Sequence, residues 1–159
     1  MPAPRDHRSS PRRVLVVVPA YNEEGSVGQV VAEINGCVPY ADVLVVDDRS
    51  LDSTRARAME QDAQVLTLPF NLGVGGAMRA GFRYALRNGY ECVIQVDADG
   101  QHDPSEIPSL LDALQDADLV IGARFAGRGA YDVRGPRRWA MKLLSVTLSH
   151  MAKTELSDT

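Results

Sequence analysis

Short apolar runs alternate with longer stretches of helical period along most of this chain. The runs cover residues 14–18, 43–46, 65–68, 92–96 and 119–121. They are rich in β-branched residues and nearly continuous, the pattern of strands buried on both faces. Helical patterns fill the gaps at 26–35, 53–61, 75–87 and 104–114. Glu23 and Glu24 precede the first helix, Asp52 and Ser53 open the second, and Asp103 and Pro104 open the fourth. Such acidic and capping residues belong at helix N-termini. Gly89 stands where a glycine should end the third.

The repeated strand–helix order predicts an α/β fold, a mostly parallel sheet with helices on both faces. Ligands of such sheets bind beyond the carboxyl ends of the strands. Polar residues gather there after every expected strand. Pro19, Tyr21, Asn22 and Glu23 follow the first, and Asp47 and Asp48 the second. Asn71 follows the third, Asp97 and Asp99 the fourth, and Arg124 the fifth. A protein built for packing alone has no need of that arrangement.

Composition narrows the class. At 159 residues the chain has a one-domain length, and 45% hydrophobic with 24% charged residues is ordinary for a soluble globular protein. A net charge of -4 argues against nucleic acid as the main partner. The charge is uneven: arginines crowd the first 13 residues and the segment 124–142, which leaves an acidic middle. That layout suits a site for a cation and a phosphorylated ligand, although solvated surface charge explains it equally well. Cys37 and Cys92 lack metal-type spacing, so reduced thiols in a cytoplasmic protein are expected. No apolar run is long enough for a signal peptide or a membrane span. The expected organisation is a disordered basic tail at 1–12, an α/β domain at 13–124, and a loop and helix at 125–159.

Asp97-Ala98-Asp99 carries the most chemistry. Two carboxylates two residues apart at a strand end can converge on one hard cation, Mg²⁺ or Mn²⁺, with Gln101 adding a neutral oxygen. The cation would then bridge diphosphate oxygens and neutralise a leaving group. The plainer reading is a polar turn capping the next helix. Asp47 and Asp48 need donors or a cation nearby; one of them could accept from a base N–H, or they could cap the helix after Asp52. A response-regulator receiver also pairs acids at a strand end, but the first lysine of this chain is Lys142, inside the last helical pattern. Asn71-Leu72-Gly73-Val74-Gly75-Gly76 is either a loop that lets backbone approach a phosphate or a tight strand-to-helix turn. Met78 stands where a dinucleotide fingerprint needs its last glycine. Arg124 is placed to meet a diphosphate. His102 lies beside the metal motif without an assigned role. The basic and apolar residues from Arg137 to Leu144 fit either a membrane surface or, slightly better, packing on another part of the protein.

Taken together, Val18-Pro19-Ala20-Tyr21-Asn22-Glu23-Glu24, Val45-Val46-Asp47-Asp48-Arg49-Ser50, Asn71-Leu72-Gly73, Ala80-Gly81, Val96-Asp97-Ala98-Asp99-Gly100-Gln101-His102 and Ile121-Gly122-Ala123-Arg124 resemble the family 2 glycosyltransferases. The nearest branch is the dolichyl-phosphate mannosyltransferase-like, polyprenyl-phosphate one. The resemblance covers about residues 13 to 153. It implies a Rossmann-like GT-A fold, a UDP- or GDP-linked sugar donor, Mg²⁺ or Mn²⁺, and inversion at the anomeric carbon. It places Pro19, Tyr21 and Glu23 at the nucleoside and Asp48, with Asp47, at the base. Asp97 falls at ribose or metal, Asp99 and Gln101 at the metal, and Arg124 at the diphosphate or acceptor. Asp158 is the general base it offers, and a polyprenyl phosphate at the inner membrane surface the acceptor. Arg49 and Leu51 stand where the family commonly has Gly and Thr, and Val74 where Lys is frequent, which leaves donor specificity open. Glu155-Leu156-Ser157-Asp158-Thr159 resembles the start of a segment that normally runs into Gly-Phe-Arg, so a fragment without its acceptor side is expected. Such a fragment could bind a nucleotide sugar without turnover. A sugar nucleotidyltransferase would carry a Gly-, Arg- and Lys-containing loop where Pro19-Ala20-Tyr21-Asn22-Glu23 stands.

Overall fold

The first apolar run is buried along its whole length and forms the middle of a sheet. The computed structural model describes residues 13–115 and 117–122. Two compact units are distinguished, Met1–Leu111 and Asp112–Thr159. The tail at 1–12, the glycine-rich loop at 127–135, the basic helical pattern after it, Arg124 and Asp158 lie outside the described residues.

Strands β1 (Val14–Ala20), β2 (Asp42–Asp47), β3 (Gln64–Thr67) and β4 (Cys92–Gln95) are all parallel, in the order β3-β2-β1-β4. Val17 lies beside Leu44 on one side and Gln95 on the other. Helices α1 (Val27–Cys37), α2 (Thr54–Met59), α3 (Gly73–Asn88) and α4 (Ile107–Ala113) connect and follow them. The steps from β1 to β2 to β3 run one way across the sheet, and the step to β4 crosses back. Right-handed crossovers therefore put α1 and α2 on one face and α3 on the other. Helix and sheet packing agree with this. Leu15, Val17, Leu44 and Val46 form one core with Leu68, Ala77, Met78 and Ala85. The alternate set, Val16, Val18, Val43 and Val45, takes the opposite face by strand alternation. There α1 buries Val27, Val30, Val31 and Ile34, the i, i+3, i+4, i+7 stripe of a core-facing helix.

Two glycines of α3 permit close approach. A Cβ on Gly81 would lie 2.6 Å from Cγ1 of Val17, so the helix seats on β1 only because that atom is missing. A Cβ on Gly76 would meet the Leu72 side chain at 2.3 Å. At the amino edge of the sheet a polar clasp joins the elements. The Arg13 guanidinium sits 4.5 Å over the Tyr90 ring and donates to the Asn88 carbonyl at 2.6 Å. The Tyr90 hydroxyl donates to Asp42 at 2.7 Å. Burial and the neighbouring Asp42 raise the Tyr90 phenol above its ordinary range.

Four expected helices and four of five expected strands are present, with shifts that have physical causes. α3 starts at Gly73, two residues before the periodicity begins, for a reason given below. The fourth helix opens with a 3-10 turn, Pro104–Glu106. Continuing α-helix would need an N–H at Pro108 to bond the Pro104 carbonyl. Proline has none, and the Ile107 N–H takes that carbonyl instead. The expected strand at 119–121 is a correction. These residues are described and form no strand, and Leu119 and Ile121 are exposed. A three-residue run makes few ladder bonds of its own, and a strand exists only through them.

Gly81→Ala is expected to destabilise the fold by roughly 1–3 kcal/mol, the range for overpacking a close-packed contact. A lowered urea midpoint with unchanged slope would report it; an unchanged midpoint would show that α3 slides freely on β1.

Candidate functional site

The chain reverses its direction across the sheet between β1 and β4, and their carboxyl ends therefore flank a crevice. Pro19 fits this geometry. The Val17 carbonyl accepts from the Val96 N–H, so the backbone groups of Val17 and Pro19 face β4. The ladder with β4 ends at Val17, and the N–H that Pro19 lacks has no strand to serve.

The loops after β1 and β2 are locked together by five hydrogen bonds. The Asn22 N–H donates to Ser50 Oγ at 3.0 Å, and the Leu51 N–H to Asn22 Oδ1 at 2.9 Å. The Glu23 N–H donates to Thr54 Oγ1 at 2.7 Å. The Glu24 N–H donates to Asp52 Oδ2 at 3.1 Å, and the Ser53 N–H returns to Glu24 Oε2 at 2.9 Å. Asn22 and Arg49 take left-handed backbone, at φ 56° and 68°. Asn tolerates that region; for Arg the Cβ makes it costly, and glycine would avoid that cost. Tyr21 stands 47% exposed at the end of β1. Glu23 accepts from the Ser26 hydroxyl at 2.8 Å. Burial pushes the Asp52 carboxyl up, but hydrogen bonds from the Thr54 hydroxyl and from the amides of Thr54 and Glu24 outweigh it and hold it below the ordinary carboxylate range.

Asp47 and Asp48 are both buried, and both have the donors that adjacent carboxylates require. Asp47 Oδ1 accepts the Ser50 N–H at 2.9 Å. Asp48 accepts the Leu72 N–H at Oδ1 and the Gly73 N–H at Oδ2, each at 2.7 Å. These amides open α3, whose own N-cap residue, Leu72, supplies no side-chain bond. Asp48 thus caps α3 from the residue that follows β2, and this sets the helix start at Gly73. Between the two readings of the 71–76 loop, the tight turn prevails at its first amides, because they are already occupied. Asn71 is exposed, and its Oδ1 shares the Gly73 N–H at 3.2 Å.

After β4 the chain turns through Asp97, Ala98, Asp99 and Gly100. Ala98 is buried, Asp97 is half-buried, and Asp99 and Gln101 are exposed. Asp99 Oδ1 accepts the Gln101 N–H at 2.9 Å and closes the turn, with Gly100 at φ 73°. Asp97 Oδ1 accepts from Gln95 Nε2 at 3.1 Å. The Asp97 N–H donates to His102 Nδ1 at 3.1 Å, and His102 Nε2 lies 3.8 Å from Asp97 Oδ2. His102 therefore holds the Asp97 backbone through one hydrogen bond and lies beside its carboxylate, a placement the sequence did not assign. Among the described residues no three His, Cys, Asp or Glu side chains cluster as a metal site. The two carboxylates and Gln101 are hard oxygen donors that suit Mg²⁺ or Mn²⁺, provided a ligand's phosphates and water complete the coordination.

The sheet order, the crevice and the aspartate turn can be set beside known proteins. The pattern of Glycosyl transferase family 2 matches residues 15–158. The chain belongs to this family. It is 45% identical over 117 residues to an undecaprenyl-phosphate mannosyltransferase of Micrococcus luteus, covering 70% of this chain and 48% of that protein. It is 37% identical over 150 residues to a polyprenol monophosphomannose synthase of Mycolicibacterium smegmatis, covering 90% and 54%. The chain thus spans about half the length of these relatives. Among solved structures it resembles glucosyl-3-phosphoglycerate synthase of Mycobacterium tuberculosis in complex with Mn²⁺, UDP and glucosyl-3-phosphoglycerate. That match has a TM-score of 0.55 and 28% identity, over 65% of this chain and 39% of the other. The expected GT-A fold, with its mostly parallel sheet, is the observed one. No helix among the described residues is long and apolar enough to cross a membrane.

Two outcomes separate scaffold from surface at this edge. Asp48→Ala should lower stability by about 1.5–3 kcal/mol in urea unfolding, because it removes the buried charged acceptor of the two amides that open α3. Asp99→Ala, at an exposed turn, should change it by under about 1 kcal/mol. Asp52 adds a pH dependence. Its depressed native pKa contributes stability that is present above the ordinary aspartate value of about 4 and is lost as pH falls through the native value. Asp52→Asn should therefore flatten the acid limb of a stability–pH curve, while equal limbs would deny Asp52 that role.

Proposed function

We propose that this chain forms the donor-binding side of an inverting glycosyltransferase that passes a sugar from a UDP- or GDP-linked donor to a polyprenyl phosphate. The observation that carries this reading is the Asp97-Ala98-Asp99 turn at the β1/β4 crevice in a family 2 chain. The names of the relatives support a lipid phosphate as acceptor and a mannosyl unit as the first sugar to test. The Mn²⁺ and UDP of the M. tuberculosis structure support a divalent cation and a nucleotide.

In this reading Pro19, Tyr21 and Glu23 line the nucleoside side, on loops already locked in place. Asp47, with one carboxylate oxygen outside its bond to Ser50, is the better placed of the acidic pair to meet a base. Asp48 acts on the base site through the backbone that it fixes. Asn71 borders the same edge. Asp97, Asp99 and Gln101 would hold Mg²⁺ or Mn²⁺, whose chemistry is to neutralise charge on the departing diphosphate. Arg124 adds positive charge toward that diphosphate. A phosphate acceptor is already nucleophilic and needs no general base; a hydroxyl acceptor would draw on Asp158. The proposed working place is the cytoplasmic side of a membrane.

Calorimetric titration of the protein with GDP-mannose and UDP-glucose in the presence of Mn²⁺ tests the reading. Binding of at least one donor is expected, with loss on chelating the metal and at least about ten-fold weakening in Asp99→Ala, an effect of roughly 1.4 kcal/mol. Failure of the wild type to bind either donor, or indifference to Asp99→Ala, would sink it.

A further inference from the structure

Helix α3 presents a second, outward face that neither the core nor the donor site uses. Arg79, Arg83 and Arg87 follow one another at i, i+4 and i+8, and all three are exposed. Phe82 and Leu86 run beside them, 49% and 79% exposed. At 100° per residue these five side chains fall within about 140° of arc. The opposite side of the helix carries the buried Ala77, Met78, Gly81 and Ala85.

Two features set this face apart from an ordinary solvated one. Surface helices usually offset their basic residues with acids three or four positions away. Arg57 and Glu60 make such a pair across the end of α2, at 3.2 Å. α3 holds no acidic residue, and none of its three arginines makes an ion pair or hydrogen bond to the described residues. Like charges at i, i+4 spacing weaken a helix, so this spine works against the fold in solution. The chain as a whole carries a net charge of -4, and the spine is therefore a local feature, not a sample of a basic surface. The second feature is the large apolar pair flanking the charges. Arginines beside exposed Phe and Leu on one helical face match the chemistry of an anionic bilayer: guanidinium groups at the headgroups, apolar side chains at the acyl boundary.

We infer that the outer face of α3 docks the protein on a membrane surface rich in anionic lipid. This deepens the reading of a lipid-phosphate acceptor and rests on it for its purpose, since docking would bring the catalytic unit to a substrate that cannot leave the bilayer. The surface itself stands on the α3 residues alone.

Flotation with vesicles tests the surface directly. The wild-type chain should float with vesicles of phosphatidylcholine containing about one-third phosphatidylglycerol, stay behind with phosphatidylcholine alone, and detach as salt rises. The triple variant Arg79→Gln, Arg83→Gln, Arg87→Gln should bind the anionic vesicles on the order of a hundred-fold more weakly, at about five-fold per arginine. Leu86→Ser keeps the charge and should weaken binding a few-fold. Absence of wild-type flotation with anionic vesicles would overturn the inference. So would equal flotation of wild type and triple variant, which would assign any membrane affinity to another segment such as residues 137–144. GDP-mannose titration of the same variants should be unchanged, because these side chains lie away from the carboxyl edge of the sheet. That second readout separates the two ideas: loss of donor binding in the wild type sinks the transferase reading and leaves the flotation result standing.

Discussion

A buried carboxylate with two backbone amides is the contact on which the carboxyl edge of the sheet depends. Asp48 directly follows β2, is 3% exposed, and spends both oxygens on the N–H groups that open α3. Charged acceptors make the stronger hydrogen bonds, and a helix N-terminus favours negative charge, so the two effects add. The arrangement joins the central part of the sheet to α3, the longest helix among the described residues. It also anchors the loop after β3 against the loop after β2. Asp47, next to it, ties its own loop through Ser50, and that loop holds the one after β1 through Asn22, Glu23 and Glu24. Three of the four described strand ends are thereby fixed relative to one another by the protein's own hydrogen bonds.

The fourth strand end is built differently. The turn from Asp97 to His102 is closed by its own bonds, from Gln101 to Asp99 and from Asp97 to His102. Helix α1 and the 3-10 turn that follows the motif are in contact, and a Cβ on Gly100 would lie 3.9 Å from Val30. A polar turn with exposed Asp99 thus rests on an apolar floor that includes the buried Ala98. Solvent-facing carboxylates on a fixed base are what a cation site between protein and diphosphate requires, because the ligand must supply part of the coordination.

Much of this was legible in the residues. The period of the apolar runs placed four strands and four helices, Gly89 ended α3 in left-handed backbone at φ 71°, and Asp103 capped the turn at Pro104. The gathering of polar residues at one sheet edge followed from the parallel order. What remained hidden was non-local. No pattern around Asp48 announces that its partners are 24 and 25 residues away, and periodicity cannot see a helix start set by a residue beyond another strand. The 3-10 opening of the fourth helix follows from Pro108, which the helical period over 104–114 did not register. Residues 119–121 have strand composition without a strand, because composition is a local property and pairing is not. Arg124 is read from its place after the expected fifth strand and from resemblance, and Asp158 from resemblance alone; the described residues hold no strand at 119–121, and both side chains lie outside them.

The latch between the first two loops has a kinetic side. Arg49 sits at φ 68°, where a side chain costs roughly 1–2 kcal/mol, yet the hydrogen bonds around it keep the backbone there. A loop closed around a strained residue by hydrogen bonds of its own has little freedom left to lose. Under the proposed donor-binding reading, entry of a nucleotide beside Tyr21 would order few residues and lose little chain entropy, so encounter and fit would become almost one event. Association at this edge would be set by diffusion and charge, and the lifetime of the bound state by how firmly the aspartate turn grips the phosphates.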